Sequence, residues 1–133
     1  MARSGAARLV RDVMTPVTAT LRPDASLVEA AQLMRAQDTG DVLVVRDGVL
    51  HGVLTDRDIT LRAVAEGMDP VAVSCQAVCT ADPVYVGPDT GVDTAARLMN
   101  EHAVRRLPVV DRSGVVGWVR AGDIGPGAGA ADC

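Results

Sequence analysis

The sequence has no phenylalanine and no lysine, and it contains one tryptophan and one tyrosine. A core must therefore be built from Val, Ala, Leu and Met, and small β-branched and aliphatic residues suit strands that are covered by helices. All 13 basic residues are arginines, so any phosphate would be met by a planar guanidinium and not by an ammonium group. With a net charge of −4, the chain lacks the basic field typical of nucleic-acid-binding proteins, and no nucleic-acid partner is expected.

Long apolar runs are also absent. None approaches the roughly 20 residues of a membrane-spanning helix, and no apolar segment follows the early arginines as it would in a signal peptide. The three cysteines are an odd number, which argues against a secreted disulfide framework. The sequence therefore predicts a soluble, cytoplasmic protein that does not contact a membrane.

An internal repeat organises the chain. Residues 13–59 align without a gap on residues 78–124, at an offset of 65 positions, and thirteen aligned pairs are identical. A duplicated supersecondary unit usually cannot bury its sheet alone, so the copies are expected to stack around a pseudo-twofold axis. The predicted parts are a flexible arm at 1–9, a first repeat at 10–68, a linker at 69–74, a second repeat at 75–124 and a disordered Gly/Ala-rich tail at 125–133.

The first copy is predicted to begin with a helical turn over residues 10–14 and a strand over residues 17–21. Ser26 and Glu29 have the spacing of a capping box, and the helix that they begin should end near residues 38–40. The apolar stripe of this helix, at helical spacing, is Leu27, Ala30, Ala31 and Met34.

Two apolar segments, 42–45 and 49–54, flank the turn signal Asp47-Gly48 and predict a hairpin. A helix is then predicted from Asp56 to about Glu66, where Gly67 is a plausible C-cap. The apolar residues on one face of that helix are Leu61, Val64, Ala65 and Met68. The second copy is predicted to repeat the pattern with a strand at 84–86, a stripe at Val92, Ala95, Ala96 and Met99, and hairpin strands at 107–110 and 115–119.

Together, these motifs resemble the cystathionine-β-synthase (CBS) domain, two copies of which form a Bateman module. The resemblance covers residues 10–124 and depends on the order, spacing and duplication of its motifs. Those motifs are Val13-Met14-Thr15-Pro16, the run from Val104 to Asp111, and Leu50-His51-Gly52 leading to Thr55-Asp56-Arg57-Asp58-Ile59. It implies an α/β (α+β) fold of tandem β-α-β-β-α repeats, similar to that of standalone bacterial stress-response pairs. It also implies a homodimer with the long helices at the interface and a protein partner that the sequence does not identify.

The resemblance further implies a cleft between the repeats that binds an adenosine-containing ligand, namely AMP, ADP, ATP or S-adenosylmethionine. Such a molecule would be a regulatory ligand and not a required cofactor. Thr55 would add a hydroxyl at a helix start whose N–H groups favour phosphate, and Asp58 could accept both hydroxyls of a ribose. The residues expected to flank the adenine are Thr15, Pro16, Val17, Asp41 and Val42.

A simpler interpretation of Thr55 and Asp58 is an N-cap followed by an acid in the first turn, and the spacing alone favours it. In the second copy Arg120 replaces the threonine, so this cap should fail, while Asp123 is retained. Arg120 either reaches a phosphate through its planar fork or pairs with Asp123 and plugs the site.

Two further arginines distinguish the second copy. Arg105 and Arg106 stand where the first copy has Gly40 and Asp41. The cationic pair is unusual in this acidic chain. It could be solvated without a role, but a contact with phosphate is the favoured interpretation.

No catalytic motif is present: the sequence has no Gly-x-Ser-x-Gly, no Walker loop and no metal-hydrolase histidine pair, so no enzyme activity is expected. Three hypotheses follow, namely a ligand-sensing module, a ligand-free scaffold that oligomerises, and a metal- or redox-responsive protein. Cys75, Cys79 and Cys133 are the weak metal candidates of the third hypothesis. Two cysteines one helical turn apart are more often plain thiols than metal ligands.

Overall fold

The structure is a computed structural model and describes residues 8–17 and 19–125. It forms two compact units, which we call the terminal unit (8–17 with 84–125) and the central unit (19–83). The predicted disorder of residues 126–133, and most of the predicted arm, lie outside the described residues. Of that arm, Leu9 forms a β-bridge to Gly91, and the Arg8 guanidinium donates to the Ile124 carbonyl.

Apart from a π-helical segment in the first repeat, the described elements of the two repeats correspond at the offset of 65 residues. In chain order they are α1 (Val10–Val13), β1 (Thr15–Pro16), α2 (Leu27–Gln37), β2 (Asp41–Arg46), β3 (Val49–Thr55), α3 (Asp56–Asp58), a π-helical segment (Ile59–Val64), α4 (Cys75–Val78), β4 (Thr80–Ala81), α5 (Val92–His102), β5 (Arg106–Asp111), β6 (Gly114–Arg120) and α6 (Ala121–Ile124). This is the mixed α and β architecture that the resemblance implies.

Each unit combines a hairpin and a long helix of one repeat with the first helix and strand of the other repeat. In the terminal unit, β1 pairs antiparallel with β6, giving the strand order β1-β6-β5. In the central unit, β4 pairs antiparallel with β3, giving the order β2-β3-β4. The compact units therefore differ from the sequence repeats at their edges, because two hydrogen-bonded residues of one repeat complete the sheet of the other.

The two hairpins are confirmed, each one residue longer at its ends than the apolar pattern indicates. In β2–β3, Asp47 and Gly48 adopt positive φ angles of 53° and 82°, as a tight hairpin turn requires. The α2 capping box is also confirmed: the Ser26 Oγ accepts from the Glu29 N–H at 3.1 Å, and the Glu29 Oε2 accepts from the Ser26 N–H at 2.8 Å.

Both helical stripes bury most of their residues. In α2, Leu27, Ala30 and Met34 lie in the core of the central unit, whereas Ala31 is exposed. In α5, the buried stripe residues are Val92, Ala95 and Met99, and Ala96 is half-buried. The remaining core of each unit comes from its strands, including Val44 and Leu54 in the central unit and Val109 and Val119 in the terminal unit.

The predicted strands over residues 17–21 and 84–86 are wrong. Each reduces to a single parallel bridge, Leu21 to Val44 and Val86 to Val109, while the paired strands are β1 and β4. The Leu21 N–H donates to the Leu43 carbonyl, and the Leu21 carbonyl accepts from the Val45 N–H. The ladder cannot continue at Pro23, which has no N–H to donate.

The helix predicted from residue 56 to 66 is α-helical only over α3 and continues as the π-helical segment. Gly67 ends it with a φ of 73°, as predicted. The wider π turn buries Ala63 and leaves the predicted apolar face outward. Leu61, Val64 and Met68 are 49%, 63% and 42% exposed.

Candidate functional site

A depression of about 540 Å³ lies on the terminal unit where β5 and β6 meet α6. Four of the predicted ligand-binding residues line it, together with two small residues. The described lining residues are Arg105, Arg106, Arg120, Ala121, Gly122 and Asp123. Three guanidinium groups thus face one carboxylate, which makes this surface cationic in an acidic protein.

The hairpin register explains why the arginines converge. Arg106, the first residue of β5, pairs directly with Arg120, the last residue of β6. Like charges directly opposite each other on adjacent strands are destabilising. Such an arrangement is not needed to build the hairpin, since the same register in the central unit places Asp41 opposite Thr55.

Trp118, which the sequence-based prediction missed, contacts one of the arginines that line the depression. The Arg106 guanidinium carbon lies 4.0 Å from the centroid of the Trp118 ring, a cation–π contact. Because Arg106 pairs with Arg120 and side chains alternate along a strand, Trp118 is its diagonal neighbour on the same face. Pairing β5 with β6 around the turn at Ser113 would have predicted that Arg106 and Trp118 are neighbours.

Arg120 and Asp123 form the pair that the plugged-site alternative predicts. The Arg120 Nε donates to the Asp123 Oδ2 at 3.1 Å, and its Nη2 donates to the Oδ1 at 3.3 Å. The two side chains are 51% and 23% exposed. As predicted, Arg120 provides no side-chain cap for α6.

The surroundings of position 105 differ from those of the equivalent Gly40 in the first copy. In both copies the first residue of the final helix donates its N–H to a backbone carbonyl at this position. Ala121 donates to the Arg105 carbonyl and Asp56 to the Gly40 carbonyl, each at 2.8 Å. A β-carbon on Gly40 would lie 2.9 Å from the Asp56 Oδ2. Alanine at 121 has no carboxylate, so the close approach of Asp56 to a β-carbon at position 40 has no equivalent at Arg105.

Thr15, Pro16 and Val17 belong to the same unit as the arginines. Thr15 pairs with Trp118, and Pro16 pairs with Gly117. The Val17 N–H donates to the Val116 carbonyl at 3.4 Å. These predicted residues therefore border β6, the strand that ends at Arg120.

The other predicted residues lie in the central unit, where Thr55 and Asp58 form the capping box. The Thr55 Oγ1 accepts from the Asp58 N–H, and the Asp58 Oδ2 accepts from the Thr55 N–H, both at 3.0 Å. Asp41 accepts at Oδ1 from the Thr39 hydroxyl at 3.0 Å. Val42 is 3% exposed, so its side chain belongs to the core.

Asp58 also has a cationic neighbour, Arg62. Its Oδ1 lies 3.7 Å from the Arg62 Nε, and the Arg62 Nη1 donates to the Val78 carbonyl at 3.0 Å and to the Cys79 carbonyl at 3.4 Å. Both carboxylate oxygens of this buried residue are therefore engaged within the unit. A ribose at Asp58 would have to compete with the cap and with Arg62.

The central unit has its own depression, of about 560 Å³, and its chemistry differs. Arg35 faces Asp38 and Asp56 there, so the charged lining is net negative. Among the described lining residues, none is a predicted ligand-binding residue. They are Ala31, Met34, Arg35, Asp38, Thr39, Gly40, Asp56, Ile59 and Thr60.

Cys75 and Cys79 are free and buried in the central unit. Burial raises the pKa of the Cys75 thiol to about 11, and burial also raises the pKa of Cys79, with a further contribution from Asp58. Thiols are poor metal ligands while they keep their protons. Within residues 8–17 and 19–125, no group of three or more His, Cys, Asp or Glu side chains could hold a metal ion, and Cys133 lies outside these residues.

Duplicated elements, exchanged edge strands and a depression beside each final helix together define a tandem repeat of one mixed α and β unit. The CBS domain family model matches residues 10–64 and 75–124, and the chain belongs to this family, with two CBS domains. Across the described parts of the chain, no helix has the length and apolar character needed to cross a membrane.

Among its relatives, the CBS domain-containing protein YhcV of Bacillus subtilis (strain 168) is 42% identical over 115 residues, which are 86% of this chain and 81% of YhcV. Hypoxic response protein 1 of Mycobacterium tuberculosis is 35% identical over 115 residues, with 86% of this chain and 80% of that protein covered. Both relatives are thus matched over most of their length.

Solved structures agree with the fold. Hypoxic Response Protein I with two coordinated zinc ions has a TM-score of 0.81 at 34% identity, covering 88% of this chain and 96% of that one. The CBS domain pair of MJ0100, in complex with 5-methylthioadenosine and S-adenosylmethionine, has a TM-score of 0.77 at 28% identity, covering 89% and 93%. CBSX2 in complex with AMP has a TM-score of 0.74 at 28% identity, covering 87% and 92%.

Proposed function

We propose that this CBS pair is a cytoplasmic regulatory module that binds an adenine nucleotide, with the phosphates held by the arginines of the terminal unit. The observation that carries the proposal is the set of three guanidinium groups, from Arg105, Arg106 and Arg120, lining one depression. Two structural neighbours hold adenosine compounds, AMP in one case and S-adenosylmethionine with 5-methylthioadenosine in the other.

The charge of the depression favours AMP, ADP or ATP over S-adenosylmethionine. A guanidinium presents parallel N–H donors that match phosphate oxygens, and such charge-assisted hydrogen bonds are roughly twice as strong as neutral ones. S-adenosylmethionine has no phosphate and carries a sulfonium cation, which the arginines would repel. The site is therefore expected to prefer ligands with more phosphate charge.

Trp118 offers a direct way to test the proposal, since it is the single tryptophan and contacts Arg106. Its fluorescence should change as ATP, ADP or AMP is titrated, with the tightest binding for ATP. Isothermal titration of the same ligands and of S-adenosylmethionine provides the affinity independently. Arg105→Gln should weaken ATP binding about tenfold, the size of one lost charged hydrogen bond.

Arg97→Gln is the matched control. Arg97 is an exposed arginine of α5 that pairs with Glu101 and is not among the described lining residues. Equal losses in both variants would mean that only net charge matters. No heat and no fluorescence change with any nucleotide at millimolar concentration would contradict the proposal and favour a ligand-free scaffold.

Ligand binding regulates a partner only if it changes the conformation of the protein. A ligand shifts a conformational equilibrium only by its differential affinity for the two states. We therefore propose that the nucleotide changes the conformation presented to a protein partner, and not that the chain is an enzyme. Hydrogen exchange with and without ATP would locate the responding segment.

We further propose that the protein is a homodimer. Leu61, Val64, Met68 and Val71 are 42–71% exposed, and they follow one another along and after the π-helical segment. Apolar residues grouped in this way typically mark an interaction surface. Light scattering of the wild type should give the molar mass of a dimer. Val64→Arg should shift the measured mass toward that of a monomer.

A metal- or redox-responsive role remains an alternative to test. The structure of Hypoxic Response Protein I holds two zinc ions, but here the raised thiol pKa values of Cys75 and Cys79 disfavour metal binding at neutral pH. Metal analysis of protein purified without added zinc addresses this alternative. Stoichiometric zinc that is lost in Cys75→Ser would support it.

A further inference from the structure

The Arg120–Asp123 pair occupies the guanidinium edge that a phosphate would use. Both donors of the fork, Nε and Nη2, point at the two oxygens of one carboxylate, at 3.1 and 3.3 Å. This is the same two-point arrangement by which a guanidinium binds a phosphate. Asp123 lines the same depression as Arg105 and Arg106, so the competition takes place inside the site.

The equivalent acid of the first repeat has a different task. Asp58 accepts from the Thr55 N–H and completes a cap, which fixes the start of α3. At position 120 the capping hydroxyl is missing, and the Asp123 carboxylate turns to the arginine instead. The pair therefore adds no cap to α6. What it does is neutralise one of the three cations that line the depression.

We propose that Asp123 is a built-in competitor for the anion site: its carboxylate holds Arg120 until a phosphate displaces it. This proposal rests on the proposed function for its site but not for its ligand, because any phosphate group of sufficient charge would displace Asp123. The pair lowers the apparent affinity of every anion that must displace Asp123, because only the fraction of molecules with Arg120 released can bind. Removing the carboxylate is therefore expected to strengthen the binding of any phosphate ligand that uses Arg120, pyrophosphate included.

The test measures pyrophosphate and ATP binding to wild type and Asp123→Asn at constant ionic strength. Asparagine keeps the shape of the side chain and removes its charge. Asp123→Asn should bind pyrophosphate about two- to fivefold tighter, the range that a partly exposed ion pair is worth. Asp93→Asn is the control for net charge, since Asp93 is an exposed residue of α5 that is not among the described lining residues.

A double-mutant cycle with Arg120→Gln separates competition from general repulsion. If Asp123 acts by holding Arg120, the gain from Asp123→Asn should disappear in the Arg120→Gln background. A gain that persists there, or no gain in the single variant, overturns the proposal. Unchanged melting temperatures in the Arg120→Gln background show that any loss of binding is not a loss of fold.

The outcomes also distinguish this proposal from the proposed function. If wild type binds ATP but Asp123→Asn binds pyrophosphate no better, only the competitor is refuted. If Asp123→Asn binds pyrophosphate more tightly while neither protein distinguishes ATP from pyrophosphate, the competitor stands and the adenine-specific function fails. If neither protein binds either ligand, there is no anion site and both proposals fail.

Discussion

Gly117 lies so close to Thr15 that a β-carbon on the glycine would stand 2.6 Å from the threonine carbonyl oxygen. At the equivalent glycine of the first repeat, Gly52, an added β-carbon would lie 2.7 Å from the Thr80 carbonyl oxygen. Each glycine sits where the short strand of one repeat pairs with the hairpin of the other. The identity of these two positions across the repeats is therefore a requirement of strand exchange.

Gly117→Ala should destabilise the terminal unit by about 1–3 kcal/mol, the usual range for forcing extra volume into a packed site. The obstacle is backbone, which cannot rotate away as a side chain could. Denaturant unfolding of the variant measures the loss. Gly122→Ala is the control, because a β-carbon there meets nothing within 4 Å; equal effects from both substitutions would show that the close approach is not the cause.

Thr55→Ala should lower the free energy of unfolding by about 1 kcal/mol, because it removes an N-cap side chain. The Thr55 hydroxyl satisfies the Asp58 N–H, which would otherwise lose its partner at the start of α3. Thermal or denaturant unfolding measures the change. The matched substitution in the other repeat is Arg120→Ala, where no side-chain cap exists. That variant is expected to lose at most the small contribution of an exposed ion pair, and a larger loss than in Thr55→Ala would contradict this account of the two copies.

Stability should fall as the pH rises from about 9 to about 11. The folded Cys75 thiol has its pKa raised to about 11 by burial, from an ordinary value of 9.0. The folded state thus holds this proton more tightly than the unfolded state, so the contribution is present below the lower value and is lost as the pH passes through the higher one. Melting temperature measured against pH checks the prediction.

The absence of lysine simplifies the interpretation of this pH dependence, because no lysine side chain titrates in the same range. Cys75→Ala is the control and should flatten the pH dependence, although it lowers stability at every pH by leaving a small cavity. Cys79, whose pKa is also raised, is expected to contribute to the slope that remains. A slope unchanged in Cys75→Ala would show that the thiol is not responsible.

Much of the fold could be predicted from local sequence signals. The Asp47-Gly48 turn and its flanking apolar runs predicted one hairpin. Because the sequence repeats at an offset of 65 residues, an equivalent hairpin was predicted in the second copy. Ser26 and Glu29 predicted the start of α2 by the same capping chemistry that the structure shows. These signals succeed because a turn, a cap or a hairpin is decided by residues that are neighbours in the chain.

Parts of the site could be predicted in the same way. The duplicated motif pointed to Arg105, Arg106, Arg120 and Asp123, and all four line one depression. Trp118 was missed, because its contact with Arg106 depends on the register of two strands and not on any motif. The predictions of strands at residues 17–21 and 84–86 were wrong for a related reason. An apolar run does not by itself show which strand, if any, it pairs with.

By itself, the sequence determined the two hairpins, the two long helices, the duplication and which residue types stand at the final helix of each repeat. Only the tertiary structure decided that β1 completes the sheet of the other repeat, and that Arg120 turns to Asp123 while Thr55 caps α3. The physical reason is range. Capping and turn formation act over three or four residues, whereas strand pairing and ion pairing select among all partners that the folded chain brings within a few ångströms.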